Sequence, residues 1–181
     1  MNIIASIQQI SRRYPSTATL VLGGASLAVV GTAWLFQIVG YLPCQLCLWQ
    51  RIPYYVAGPI LVLVGLMTYA GIFGRKVLSI LVVFCGSVFV LSTLLATYHS
   101  GVEWSFWQGP TSCGGANNFT TTDATDLLGA LSTTRPPSCN EAAGRFLSLS
   151  FAGWNVIASA GLAFACFVLA SAIFEKPQAT K

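Results

Sequence analysis

Four long apolar segments dominate the pattern of hydrophobic and polar positions along the chain. They cover residues 17–39, 48–73, 77–98 and 149–174. Each has about the 20 residues that a helix needs to cross the hydrocarbon core of a bilayer. The pattern therefore predicts an all-α membrane protein, a four-helix transmembrane bundle that forms a single integral-membrane domain over residues 1–181. A cleaved signal peptide is the alternative for the first segment, but its apolar stretch exceeds the usual roughly 7–15 residues.

The composition of the chain agrees with lipid as its solvent. Hydrophobic residues make up 55% of the chain and charged residues only 8%, against about 25% in an ordinary soluble domain. The net charge of +4 comes from scattered basic residues rather than from a basic stripe, which is the usual sign of a nucleic-acid surface. We therefore expect a lipid bilayer around the protein and no nucleic-acid partner.

Basic residues are unevenly distributed between the two ends of the predicted spans. With four spans, most of them fall on one side: Arg12, Arg13, Arg75, Lys76, Lys176 and Lys181. An excess of Lys and Arg marks the cytoplasmic side of a membrane protein. We therefore expect both termini in the cytoplasm and the long loop at 100–148 outside. That loop is rich in Gly, Pro, Thr, Ser and Asn and should be mostly irregular, apart from a short helix at Asp123–Leu131.

The predicted topology separates the six cysteines into two groups. Four fall on the outer side: Cys44, Cys47, Cys113 and Cys139. An outer side is an oxidising compartment in which disulfides persist. Four cysteines allow three pairings, and the simplest ground state joins 44 with 47 and 113 with 139. Cys85 and Cys166 fall inside spans and are expected to act as small packing residues.

Structural, redox and metal-binding roles compete for the outer cysteines. A structural disulfide suits the 113–139 pair, because closing that loop would remove about 3 kcal/mol of unfolded-state entropy. It suits Cys44 and Cys47 poorly, because so small a ring restrains little of the chain. A zinc site with His99 as a further ligand is the rival, but structural zinc sites usually combine paired C-x-x-C motifs. We therefore favour redox chemistry for Cys44 and Cys47 and expect no metal.

The stretch around the C-x-x-C motif predicts a particular local geometry. Pro43 should end the first helix, because the residue before a proline disfavours the helical conformation. If the second helix begins near Cys44, then Cys44, Cys47 and Arg51 share one face. A helix N-terminus and a nearby cation both stabilise a thiolate. Arg51 could instead extend to the lipid headgroups, but an ionisable residue at this depth is a functional candidate, suited to an acceptor that becomes anionic on reduction.

These residues resemble the disulfide bond formation protein B (DsbB) family. The features that carry the resemblance are C-x-x-C-x-x-x-R at the outer start of the second span and two more cysteines, 26 residues apart, in a long outer loop. The resemblance covers nearly the whole chain. It implies a bacterial inner-membrane oxidoreductase that reoxidises a periplasmic DsbA-like dithiol oxidase and reduces a membrane quinone, either ubiquinone or menaquinone.

The resemblance also implies a role for each site residue. Cys44 and Cys47 correspond to the pair that passes electrons to the quinone, and Cys47 is the sulfur beside the quinone ring. Arg51 and His99 correspond to quinone-binding residues, although the position of His99 is offset by one residue. Cys113 and Cys139 correspond to the pair that oxidises the partner; Cys113 is the sulfur that the partner attacks, and a Cys44–Cys139 disulfide is an implied intermediate. Gln50 stands where the best-known member has glutamate.

Two other classes of protein remain as alternatives. A vitamin-K-epoxide-reductase-like quinone reductase would carry its membrane C-x-x-C late in the chain, whereas here the motif follows the first span. A tetraspan scaffold with structural disulfides gives no reason for an arginine beside a tight two-cysteine ring. Whether the purified protein carries a quinone separates the redox enzymes from the scaffold.

Overall fold

Four long helices make up most of the computed structural model, which describes residues 9, 11–110, 113 and 138–174. The helices are α1 (Pro15–Ile38), α2 (Gln45–Tyr69), α3 (Arg75–Glu103) and α4 (Phe151–Phe174). Two short antiparallel strands, β1 (Arg145–Phe146) and β2 (Leu149–Ser150), directly precede α4. Each of the four helices is long and apolar enough to cross a membrane. The predicted all-α membrane protein with four spans is therefore confirmed.

The boundaries of these elements differ from the predicted spans mainly at one end of the bundle. Helix α3 continues to Glu103, although the long loop was expected to begin at 100. His99 is therefore a helical residue rather than a residue at a frayed end. Strand β1 lies at the end of that loop, and β2 takes the first two residues of the predicted fourth span, so that α4 begins at Phe151. The short helix expected at Asp123–Leu131 lies outside the described residues.

The bundle is built from two helix pairs that are joined through α2 and α3. The most extensive contacts are those of α3 with α4 and of α1 with α2. Its apolar core includes Tyr54, Leu61 and Phe89, together with Cys85 and Cys166. Both of these cysteines are fully buried, which agrees with the packing role predicted for them.

Glycine allows α1 and α2 to approach each other closely. A Cβ atom placed on Gly23 would lie 2.7 Å from a Val62 side-chain carbon and 2.9 Å from the Val62 backbone nitrogen. Gly65 faces Leu20 of α1 in the same way, with a Cβ distance of 2.8 Å to its Cγ. In lipid, apolar surface gains little by leaving the solvent, so helices associate through close packing of small residues. Gly23 and Gly65 therefore permit the close packing that holds α1 and α2 together.

Gly23→Ala should destabilise the bundle by about 1–3 kcal/mol, because the added methyl group overpacks the contact with Val62. Gly24→Ala is the matched control, since a Cβ at Gly24 meets nothing within 4 Å and alanine favours the helix. Thermal loss of helical circular dichroism in detergent measures both variants. Equal melting temperatures for the two variants would contradict this account of the α1–α2 contact.

Candidate active site

The C-x-x-C motif forms the first turn of α2. Cys44 is the N-cap residue, with an extended backbone, and its sulfur accepts a hydrogen bond from the Cys47 backbone N–H at 3.2 Å. Such a cap satisfies one of the N–H groups that every helix leaves free at its start. The helix thus begins at Gln45, next to Cys44, which meets the condition on which the expected shared face of Cys44, Cys47 and Arg51 depended.

The two cysteines of the motif are thiols in this structure. Their Sγ atoms lie 2.8 Å apart and share a hydrogen bond. The Cys44–Cys47 disulfide that was expected as the ground state is therefore not formed here, because this separation exceeds the roughly 2.05 Å of a sulfur–sulfur bond. The two sulfurs nevertheless lie so close that oxidation to a disulfide would need only a small movement.

Cys44 lies in an environment that favours its thiolate form. Its side chain is only 2% exposed, and the Nε2 atom of His99 lies 3.5 Å from its sulfur. The hydrogen bond from the Cys47 thiol is the main reason that the pKa of Cys44 falls from 9.0 to about 4, and the contact with His99 acts in the same direction against burial. A thiolate is the reactive form of cysteine in disulfide exchange.

Arg51 turns inward instead of extending to the membrane surface. One guanidinium nitrogen donates to Gln37 Oε1 at 2.7 Å, and the other donates to the Ala33 carbonyl at 3.3 Å. The guanidinium also lies over the Trp34 ring, 5.5 Å from its centroid. Arg51 is only 9% exposed. These contacts with α1 orient the side chain, so simple extension to the headgroups does not describe it.

A cavity of about 300 Å³ lies beside the cysteine pair. Its wall comes mainly from α1, the turn before α2, α2 itself and α4, and most of the lining side chains are apolar or aromatic. Cys47, Arg51 and Asn155 are among its polar lining residues. An apolar pocket with a few polar groups is the usual form of a small-molecule site. The cavity thus places a thiol and a cation against the same space.

Cys44 and His99 are not among the described residues that line the cavity, but each contacts one that is: Cys44 contacts Cys47, and His99 contacts Gln50. The Nδ1 atom of His99 lies 2.6 Å from Gln50 Nε2, and its Nε2 atom lies 3.8 Å from Glu103 Oε1. The structure therefore places His99 against the sulfur of Cys44. The quinone contact that the resemblance implied for His99 stays a prediction.

The second cysteine pair lies against the first. Cys113 and Cys139 form a disulfide, and both belong to one buried apolar cluster with Cys44, Leu46 and Val102. Cys47 packs against the same cluster. The expected 113–139 pairing is present. All four outer cysteines therefore meet at one end of the bundle, where α2 begins and α3 ends.

The segment after α3 folds back over the end of that helix and leads the chain towards Cys113. Trp107 donates from its indole nitrogen to the Tyr98 carbonyl at 2.9 Å and stacks on the Tyr98 ring. Gly101 makes this possible, because a Cβ there would lie 2.0 Å from the Trp107 ring. At Gly109, a Cβ would lie 3.1 Å from a Val102 side-chain carbon. The chain therefore stays close to α3 just before it reaches Cys113.

Several residues of this site have no signature in the sequence that predicts their role. Gln37 accepts a hydrogen bond from Arg51. Asn155 donates to Gln50 and accepts from the Tyr54 hydroxyl. The amide side chains of Gln37 and Asn155 could nevertheless have been recognised from the sequence, because an amide within an apolar span needs a polar partner in lipid. Which partner it finds depends on the packing of helices that are distant in sequence.

The site also has the donor atoms for a metal ion. The ligand atoms of Cys44, Cys47 and His99 lie within 4.8 Å of one another, the one such group found among the described residues. Thiolate and imidazole are the ligands that zinc prefers. The zinc alternative also needed Cys113 and Cys139 as ligands, but these two are joined in a disulfide. The four-cysteine zinc site therefore does not form in this structure.

Four membrane-spanning helices with two cysteine pairs gathered at one end of the bundle define the class of membrane-embedded thiol–disulfide oxidoreductases. The profile of the family described as disulfide bond formation protein DsbB matches residues 15–169. The chain therefore belongs to the DsbB family, and its role is that of an oxidoreductase in disulfide bond formation.

One curated relative supports the same assignment. The chain is 27% identical over 151 residues to disulfide bond formation protein B of Saccharophagus degradans, and this match covers 82% of this chain and 88% of the relative. No solved structure gives a significant match. The family resemblance inferred from the sequence is confirmed, and the family match favours it over the vitamin-K-epoxide-reductase-like alternative.

The reduced protein should keep one thiolate at acidic pH. Because the pKa of Cys44 is lowered from 9.0 to about 4, its thiolate should persist as the pH falls below 9 and should disappear only near pH 4. The ultraviolet absorbance of the thiolate, followed during an acid titration, measures this. Cys44→Ala should remove the signal and Cys85→Ala should retain it; a midpoint near 9 in the unmodified protein would contradict the assignment.

Proposed function

We propose that this protein reoxidises a periplasmic DsbA-like dithiol oxidase and passes the electrons to a membrane quinone. The observation that carries the proposal is that Cys47 and Arg51 line one apolar cavity, while the Cys113–Cys139 disulfide packs in the cluster that contains Cys44. A thiol pair thus has an oxidised pair on one side and an apolar cavity on the other.

The first half of the proposed reaction is disulfide exchange. A thiolate of the partner attacks Cys113, the Cys113–Cys139 bond breaks, and Cys139 leaves as a thiolate. The second partner thiol then releases the partner as a disulfide and leaves Cys113 and Cys139 reduced. Exchange with the Cys44–Cys47 disulfide restores the 113–139 bond and moves two electrons to Cys44 and Cys47. The shared buried cluster supports direct exchange between the two pairs.

The residues around the cavity fit a quinone. The cavity volume of about 300 Å³ and its apolar and aromatic walls suit a flat ring with an isoprenoid tail. When bound, the quinone supplies the acceptor for two electrons and two protons. Cys47 would face it as the electron donor, and Arg51 would donate hydrogen bonds to its oxygen and stabilise negative charge, an effect that is stronger in a low-dielectric site.

The proposed orientation places the cysteine end of the bundle in the periplasm. The basic residues Arg12, Arg13, Arg75 and Lys76 lie at the opposite end, before α1 and at the start of α3. Such residues are retained on the cytoplasmic side. Both termini would then be cytoplasmic in the bacterial inner membrane, and the cysteines would face the compartment in which disulfides form.

Quinone reduction by the purified protein with a reduced DsbA-like partner tests the function. Arg51→Ala should reduce kcat/KM for the quinone by roughly 10- to 100-fold, the loss expected for hydrogen bonds from a charged donor. Arg51→Lys should recover only part of this loss, because an ammonium group does not reproduce the planar guanidinium. Steady-state rates at varied quinone concentration measure both effects.

The control for Arg51 is Arg75→Ala, which removes an exposed arginine that donates to the Arg12 carbonyl. Its quinone kinetics should stay unchanged, and the exchange between partner and protein should stay nearly intact in all three variants. If Arg51→Ala reduces quinone as well as the unmodified protein does, Arg51 is not part of the quinone site.

Cysteine variants test the division of roles in the second pair. Cys139→Ala should accumulate a mixed disulfide between Cys113 and the partner, because no neighbouring thiol remains to displace it. Cys113→Ala should form no such complex, and Cys166→Ala should behave as the unmodified protein. Non-reducing electrophoresis after mixing with the partner measures the complex; trapping by Cys113→Ala alone would reverse the two roles.

A further inference from the structure

A chain of hydrogen bonds runs from the cysteine pair into the membrane-spanning part of the bundle. The Tyr54 hydroxyl donates to Asn155 Oδ1 at 2.5 Å, and Asn155 Nδ2 donates to Gln50 Oε1 at 2.7 Å. Gln50 Nε2 lies 2.6 Å from His99 Nδ1. The other imidazole nitrogen, His99 Nε2, faces Cys44 Sγ at 3.5 Å. Helices α2, α3 and α4 all contribute to this chain.

The acceptors at the His99 end give the chain its direction. A tyrosine hydroxyl can donate or accept, but His99 Nε2 faces Cys44 Sγ and Glu103 Oε1, which both favour a proton on that nitrogen. The amides are oriented to agree with this, with the Tyr54 hydroxyl as the donor at the far end.

A side-chain amide has a donor end and an acceptor end, so Asn155, accepting through its oxygen, must donate through its nitrogen. Gln50 is oriented in the same sense and reaches His99 as a donor. The Nδ1 atom of His99 must then accept. The proton of a neutral imidazole therefore lies on Nε2, the nitrogen that faces Cys44.

Burial makes this arrangement costly to reverse. His99 is only 1% exposed, and Tyr54 and Gln50 are also buried. Turning one amide alone would bring two donors or two acceptors together without water to replace the lost bonds. The amide of Gln50 is also needed for a hydrogen bond donated to His99 Nδ1. A carboxylate at position 50 would instead accept a hydrogen bond from Nδ1.

We propose that Gln50, Asn155 and Tyr54 are positioning residues that fix the proton of His99 on Nε2, where it donates a hydrogen bond to Cys44. The inference rests on the proposed function in one respect, namely that Cys44 belongs to the reacting pair. A neutral donor favours the Cys44 thiolate, the reactive form of cysteine in disulfide exchange, and holds the imidazole in place while the pair is oxidised and reduced.

The other titratable groups near His99 do not change this assignment. Glu103 Oε1 lies 3.8 Å from the same Nε2 atom, so a second acceptor atom faces that nitrogen. The positive charge of Arg145, on β1, attracts the side chain of Glu103. Cys47 faces Cys44 rather than the imidazole. The groups on α2 and α3 and on β1 therefore agree with the proton position that the amide chain requires.

The experiment uses the fact that the chain contains a single histidine. Nitrogen NMR of the full-length, reduced protein, labelled with ¹⁵N-histidine in detergent, reports each imidazole nitrogen separately. We expect Nε2 to be protonated and Nδ1 unprotonated, with an excess of roughly tenfold over the other tautomer. A proton on Nδ1, or an equal mixture, would overturn the proposal.

Two variants test the chain of amides. Gln50→Glu keeps the size of the side chain and should move the proton to Nδ1 or protonate both nitrogens. Tyr54→Phe removes only the hydroxyl that donates to Asn155 Oδ1 at the far end of the chain and should reduce the excess of the Nε2 tautomer. Tyr69→Phe is the matched control, because Tyr69 is 77% exposed at the other end of α2, and its spectrum should match that of the unmodified protein.

The result is independent of the quinone reaction. The tautomer is measured without quinone or partner, so a protein that fails to reduce quinone still yields the same spectrum. Conversely, a normal rate of quinone reduction together with an unchanged tautomer in Gln50→Glu would overturn the proposal and leave the proposed function intact. Circular dichroism of each variant confirms that the bundle has folded.

Discussion

The absence of water in the hydrocarbon core is the constraint on which this structure depends. Every polar group that enters the core must find a partner within the protein, because an unsatisfied group there is costly. Backbone groups satisfy this by forming helices, which accounts for the four spans. Side chains satisfy it by bonding between helices, and Arg51 with Gln37 and Asn155 with Gln50 are the clearest examples.

The same constraint gives the cysteine pair its chemical character. Cys44 serves as the cap of α2 and receives hydrogen bonds that would be weaker in water. Cys47 lies one turn further along the helix, against the cavity. The two sulfurs therefore have different surroundings although they are close in sequence: Cys44 is buried in the cluster that holds the second pair, whereas Cys47 packs against that cluster and also lines the cavity.

The position of the second pair distinguishes an oxidoreductase from a scaffold with structural disulfides. A disulfide that only closed the loop would have no reason to pack beside Cys44, yet Cys113 and Cys139 share its buried cluster. Trp107, folded over the end of α3, helps to bring the chain there. Membership of the DsbB family agrees with this arrangement, in which the packing of the loop brings the two redox pairs together.

The sequence alone determined the features that depend on local pattern. Span number follows from the length of apolar segments and agrees with the structure. A helix start beside the C-x-x-C motif was the condition for placing both cysteines on one face, and α2 does begin next to Cys44. The family followed from the spacing of the cysteines and Arg51. Only the tertiary structure decided that Arg51 bonds to α1 and that His99 stands against Cys44. These contacts join helices that are far apart in sequence, and no local pattern specifies which faces of such helices meet.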